Sequence, residues 1–481
     1  MFVKFVLLAF LLMVCGLGGA ALFRYPGSWL TYLLFTLFSQ ALLLNGFRRR
    51  AIFFDTFIGI LLWLGFWFSF SIRISQGAKM FLDIPNWDYT AQSFDHVLII
   101  SCCGLIGFLL ASKIREKYFV YPTSIPKQDA TAIFFFYQRY RGWVLSLFIT
   151  LVIGVAASNV MLGVYQRGMV SSVGLPSWFV GIYAWLLLFG LSSMVAVIVR
   201  CEIQLRQSIS WVSISLTLAE SFLSSVAMLS RGMVVNFTAI ALGTWATYSR
   251  NETILTLKRV IAIGVLFCGT FAASVLFVNQ LRSIVFTTTS ASVATVLQAS
   301  EVRSVDWKLI EALTVPLLVD RWVGIDGVAA ITSASGRGWD LWASAWKESR
   351  DITRLTEYDS KFISSSYTDR PPELTRHFVS LPGLIAFSYL TGSWLFVIFF
   401  SLICGLIASA FEITTYFFAG KNLIFCSLLG QVIAYRYAHF GYVPAQSYLL
   451  FGTIVLNIVL IWLLEKLLQR AAVNKTINKF V

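Results

Sequence analysis

Apolar runs recur along this chain, each long enough to cross a bilayer and each stopped by charge or by a turn residue. A bilayer-crossing helix needs about 20 apolar residues, within a range near 17–25. By that measure spans are expected at Phe5–Phe23, Ser28–Asn45, Ala51–Ile72, Val97–Ala111, Gly142–Val160, Trp178–Val199, Ile209–Leu229, Met233–Tyr248, Val260–Phe277, Trp394–Ala410, Leu423–Ala438 and Ser447–Leu464. Length alone would suggest two or three soluble domains. The chain is instead 58% hydrophobic and 12% charged over 481 residues, against about 25% charged in soluble domains. The expectation is an all-α polytopic membrane protein with about 12 transmembrane helices.

A formal charge of +14 invites a nucleic-acid reading. Its distribution argues against one. The bases cluster in short connections at alternate ends of the spans: Arg48-Arg49-Arg50, Lys113/Arg115/Lys117, Arg139/Arg141, Arg200/Arg206, Arg250/Lys258/Arg259 and Lys466/Arg470/Lys475/Lys479. That is the positive-inside pattern, whereas nucleic acid demands one basic face on a soluble domain. Both termini are then expected in the cytoplasm. Lys4, the run Phe5–Phe23 and the small residues Gly18-Gly19-Ala20 have the form of a signal peptide. Retention as a first anchor is expected, because a first span ordinarily sets the topology of such a chain.

Two apolar blocks, 1–280 with about nine spans and 383–481 with about three, flank a stretch that contains none, 281–382. It carries Arg282, Arg303, Arg321, Arg337, Arg350, Arg354, Arg370 and Arg376, with Trp307, Trp322, Trp339, Trp342 and Trp346. Loops longer than about 12–15 residues are usually functional or disordered, and this one is too rich in aromatic and aliphatic residues for disorder. A folded, largely helical extramembrane cap carrying the site is expected. Within it, Val305–Val323 reads as helix lying along a membrane surface. Leu384–Gly392, after Pro382-Gly383, reads as a partly inserted segment lining a cavity.

Three histidines occur, His96, His377 and His439, and this topology puts all three at the outer face. A neutral imidazole is the natural base near pH 7, and each also reads as an ordinary hydrogen-bonded surface residue. His377 stands out because Arg376 precedes it and the long loop closes there. Arg231, in the turn Ser230-Arg231-Gly232, is either an interfacial snorkeller or a phosphate ligand, since its fork matches phosphate oxygens. Glu220 lies eleven residues earlier, close to three helical turns, so it shares a face with Arg231. Ionisable groups in spans face a bundle interior, so that face is expected to point inward. Arg321 opens Arg321-Trp322-Val323-Gly324-Ile325-Asp326-Gly327, whose glycines permit a sharp turn or a close backbone approach. The plainer alternative is a loop Arg–Asp pair worth about 0–1 kcal/mol. The loop tryptophans suit either sugar stacking or an interfacial belt. None of the seven cysteines falls in the long loop, and no Walker loop or dinucleotide fingerprint is present. No metal, nucleotide or other cofactor is expected.

Three stretches carry a family resemblance: Ser230-Arg231-Gly232, Arg321 to Gly327, and Leu381-Pro382-Gly383-Leu384-Ile385-Ala386-Phe387 with Thr391-Gly392-Ser393. With the dozen spans and one long late loop, the chain resembles the Wzy-type O-antigen polymerases, or oligosaccharide repeat-unit polymerases. The resemblance implies a GT-C glycosyltransferase fold in a bacterial inner membrane, acting at its periplasmic face. It implies transfer of a growing glycan from undecaprenyl diphosphate onto a lipid-linked repeat unit, with inversion and without a metal. Arg231, Arg321 and Arg376 would hold the diphosphate and His377 would accept the hydroxyl proton. Undecaprenyl-diphosphate-linked oligosaccharides and membrane lipid would be partners, with room for a chain-length regulator protein and none for nucleic acid. Two neighbouring readings are an O-antigen ligase, which passes glycan to lipid A-core, and a twelve-span polysaccharide flippase.

Overall fold

The computed structural model describes residues 2–77, 80–122, 131–169, 174–230, 232–233, 235–248, 265, 269–278, 281–282, 322–349, 355–363 and 379–477. Among these residues the fold is all-helical. Eleven of the expected spans each coincide with a helix: α1 (Phe2–Arg24), α2 (Trp29–Gly46), α3 (Phe53–Gln76), α4 (Ala91–Tyr118), α5 (Ala132–Leu162), α6 (Trp178–Arg206), α7 (Trp211–Ala227), α8 (Val235–Tyr248), α14 (Trp394–Phe418), α15 (Leu423–Ala438) and α16 (Ser447–Ile477). Of Val260–Phe277, the described part is α9 (Gly269–Val278). Among the described residues seven helices, α2 to α6, α14 and α16, are long and apolar enough to cross a membrane, which makes this a polytopic membrane protein. The apolar tract Phe411–Gly420 belongs mostly to α14, which continues to Phe418.

Caps define several of these ends. Thr90, Thr131, Ser210 and Ser393 each accept a backbone N–H of the first turn of α4, α5, α7 and α14, satisfying donors that have no partner inside the helix. Between helices, small residues let backbones meet. A Cβ on Gly405 of α14 would sit 2.6 Å from the Ala111 Cβ of α4, so glycine is what allows that crossing. In lipid there is no hydrophobic force between helices, and close packing of this kind holds them together.

The end of the bundle that bears the basic clusters is tied by buried polar contacts. Arg115 on α4 pairs with Asp55 on α3, and both are buried. Glu412 on α14 accepts the Phe53 and Phe54 N–H groups, each at 2.8 Å, and the Tyr121 hydroxyl at 2.6 Å. Glu202 on α6 takes Arg141 of α5, the Tyr137 hydroxyl at 2.6 Å and Arg206 at 3.1 Å. Among the described residues, these carboxylates each have a charged or N–H partner.

The long loop departs from the expected cap. Its described parts form α10 (Ile325–Ser333), α11 (Trp339–Trp346) and α12 (Glu357–Phe362). Ile325, Val328, Ala329, Ala330 and Ile331 are fully buried in the main core, so α10 is a structural part of the bundle. Its glycines serve close approach. A Cβ on Gly324 would overlap the Gly65 carbonyl, and one on Gly327 would overlap the Pro382 carbonyl. Asp326 pairs with Arg73 of α3 at 2.7 Å. Beside α10 lies α13 (Leu384–Tyr389), wholly buried and entered through Gly383 at φ 84°, a left-handed conformation that glycine adopts freely. On α11, Trp339, Trp342 and Trp346 pack edge-on against Phe396 and Phe400 of α14. Those rings lock the loop to the bundle, and Trp307 lies outside the described residues. So does 305–321, all but the last two residues of the stretch Val305–Val323 expected to lie along the membrane.

Candidate functional site

Arg231, Arg321, Arg376 and His377 all lie outside the described residues. Of their neighbours Ser230, Gly232 and Trp322 are described, and past His377 the chain is described from Val379 onward. Arg231 is bracketed by Ser230, buried at the end of α7, and by Gly232, where a Cβ would come 3.0 Å from the Tyr435 hydroxyl of α15. After His377 the chain returns through Pro382-Gly383, where Gly383 N–H donates to the Phe440 carbonyl at 2.9 Å. Gly441 lies against the Pro382 ring. Described parts of four connections gather at the end of the bundle opposite the basic clusters: 163–169, 228–230 with 232–233, 381–383 and 436–447.

Two guanidinium groups occupy this junction, and neither was singled out from the sequence. Arg167 follows α5; its N–H donates to the Met228 carbonyl at 2.9 Å, and its guanidinium lies over the Tyr435 ring at 6.0 Å. Arg436, in the last turn of α15, donates to the Tyr442 carbonyl at 3.5 Å and the Ser447 hydroxyl at 3.3 Å. It also lies 5.8 Å from the Phe440 ring centre. The two are near enough for mutual repulsion to be felt at Arg436. Among the described residues no carboxylate pairs with either. The Arg167 guanidinium also hydrogen-bonds Tyr435; two guanidinium groups thus share this junction, and arginine forks suit phosphate oxygens.

His439 stacks on Tyr435 with ring centres 4.0 Å apart, and its Nδ1 is 3.1 Å from the Tyr435 carbonyl. This histidine sits at the junction. His96 does not: its Nε2 is 2.9 Å from the Tyr389 hydroxyl, between α4 and α13. The Arg337 guanidinium faces the same Tyr389 ring and donates to the Ile331 and Thr332 carbonyls at 3.0 and 2.6 Å. That group caps the C-terminus of α10 and joins it to α13, a packing role. Glu220 is buried on α7, but the helix ends at Ala227 and Leu229 takes φ 50°, so the helical face expected to run on to Arg231 stops short of it.

Glu348, also absent from the sequence-based candidates, lies after α11 with the Val443 backbone beside it. Its carboxylate accepts the Glu357 N–H at 2.8 Å. Burial pushes its carboxyl above the ordinary range, with the Glu357 charge adding to the rise. It lies on the edge of the junction. Among the described residues no cluster of histidine, cysteine, aspartate or glutamate has the form of a metal site.

A signal for Arg436 was present in the chain. It lies at the end of a span that the positive-inside pattern leaves poor in bases, so its charge calls for another explanation. Arg167 breaks the same rule. No protein-family model, no curated protein and no solved structure matches this chain.

Proposed function

We propose that the chain is a glycosyltransferase of the oligosaccharide repeat-unit polymerase type, using undecaprenyl-diphosphate-linked oligosaccharide as donor and acceptor at the periplasmic face of a bacterial inner membrane. The observation that carries this reading is the Arg167–Arg436 pair, lacking a carboxylate partner among the described residues, beside the turn that holds Arg231. A lipid diphosphate is an anion that reaches its site from the bilayer, and fixed guanidinium charge stabilises it as a leaving group. A twelve-span topology with the long loop on the periplasmic side belongs to the same proposal.

In the mechanism, Arg167, Arg436 and Arg231 hold the diphosphate, with Arg321 and Arg376 supplied by the long loop. His377 takes the proton from the attacking sugar hydroxyl. That oxygen bonds to the anomeric carbon as the bond to the diphosphate oxygen breaks, so the configuration inverts.

The test uses purified full-length protein in liposomes with undecaprenyl-diphosphate-linked repeat units. The wild type should give a ladder of products, and the Arg167→Ala/Arg436→Ala double variant and His377→Ala should give single repeats. A full ladder from the double variant would remove the junction from the mechanism. Adding lipid A-core separates polymerase from ligase, since only a ligase would glycosylate it.

A further inference from the structure

In the middle of α7, away from the junction, Glu220 is 1% exposed and meets only neutral groups. Its Oε1 accepts the Ser192 and Ser224 hydroxyls, each at 3.0 Å, and its Oε2 accepts the Ser221 hydroxyl at 3.4 Å. Asn236 of α8 donates to the Ser192 oxygen at 2.9 Å. Next to Ser192, Ser193 donates to Asn457 of α16 at 3.2 Å. Four helices thus send polar side chains into one apolar region, and all of these residues are buried. Among the described residues no lysine, arginine or histidine pairs with the Glu220 carboxylate, unlike Asp55 and Glu202.

An unpaired ionised carboxylate in such surroundings costs several kcal/mol, so its charge must be balanced. We infer that Glu220, Ser192, Ser221 and Ser224 form an all-oxygen site for a small monovalent cation, with Na⁺ as the ligand. Charge sets the valence: one carboxylate neutralises one positive charge, and a divalent ion would leave an excess in an apolar interior. Ligand type sets the class. Hard cations take carboxylate and hydroxyl oxygens, and each serine can turn its O–H away and present a lone pair. A proton alone would need a single acceptor, whereas three hydroxyl oxygens converge on this carboxylate from two helices. Intramembrane carboxylates without a protein counter-charge are commonly ion sites.

The test uses full-length protein in detergent micelles at fixed pH and ionic strength, in sodium chloride or choline chloride. An apolar carbodiimide, which modifies protonated carboxyls, is the probe, and peptide mass spectrometry reads Glu220. Labelling is expected in choline and should slow about tenfold when Na⁺ is at ten times its Kd. The unfolding temperature should rise with Na⁺ and not with choline. Glu220→Gln should abolish both responses, and Ser224→Ala should weaken the protection while the protein still folds. Equal labelling in the two salts means that only a proton is bound, and that overturns the site. So does an unfolding temperature indifferent to Na⁺.

Discussion

The two ends of this bundle hold their buried charges differently, although the outer end also keeps one matched pair, Arg73–Asp326. At the end bearing the basic clusters, Asp55, Glu202 and Glu412 are each matched to a guanidinium or to helix N–H groups. At the other end, Arg167 and Arg436 sit among rings and carbonyls without a carboxylate among the described residues. Paired buried charges cost much when one partner is removed, since the other is left alone. The first end is therefore structural, and the second is where the proposed function seats its ligand.

The largest effect should come from splitting a matched pair. Arg115→Ala leaves Asp55 buried and alone, and should destabilise by about 3–5 kcal/mol, measured by denaturant unfolding in detergent. A loss below about 1 kcal/mol would show that the pair is solvated and that the two ends differ less than argued. Next, Arg436→Ala should weaken binding of a lipid diphosphate by about 10–100-fold, the worth of hydrogen bonds to a charged group, read by ligand titration. Its unfolding temperature should stay level or rise, because a repulsive neighbour of Arg167 is gone. A sharp fall would instead make Arg436 a structural residue.

Gly327→Ala tests whether α10 is part of the bundle, since its new methyl would meet the Pro382 carbonyl. Overpacking of this kind costs about 1–3 kcal/mol; an unchanged melting curve would put α10 outside the core. A smaller effect is expected at Glu348, whose folded-state carboxyl is held above the ordinary range by burial. Its contribution to stability is present at acid pH and lost as pH rises through that raised value. Glu348→Gln should flatten this decline, and parallel pH profiles for the two proteins would refute it. The smallest change belongs to Lys361→Ala, which removes a half-exposed pair with Glu357 at 2.6 Å. It should shift stability by about 0–1 kcal/mol.

Much of the fold was legible in the chain. Eleven spans coincide with helices because length and apolarity are local properties that a bilayer reads directly. Some ends moved: α5 begins at Ala132, ahead of the expected Gly142, because Thr131 caps it and Glu465 accepts the Ala132 and Ile133 N–H groups. The glycines of 324–327 were read as permitting close approach, and they do. The loop's place was not legible. Its tryptophans and aliphatics marked it as folded, but composition does not distinguish a surface cap from a helix packed against α4 and α13.

By itself, the sequence determined that this is a helical membrane protein, where most of its helices run and which connections carry the bases, since each follows from a local run of residues. Only the tertiary structure decided that Arg167 and Arg436, 269 positions apart, share one junction and that Glu220 lies in a ring of hydroxyls. The reason is physical: whether a charge is matched depends on what packs across from it, and that partner comes from a distant helix.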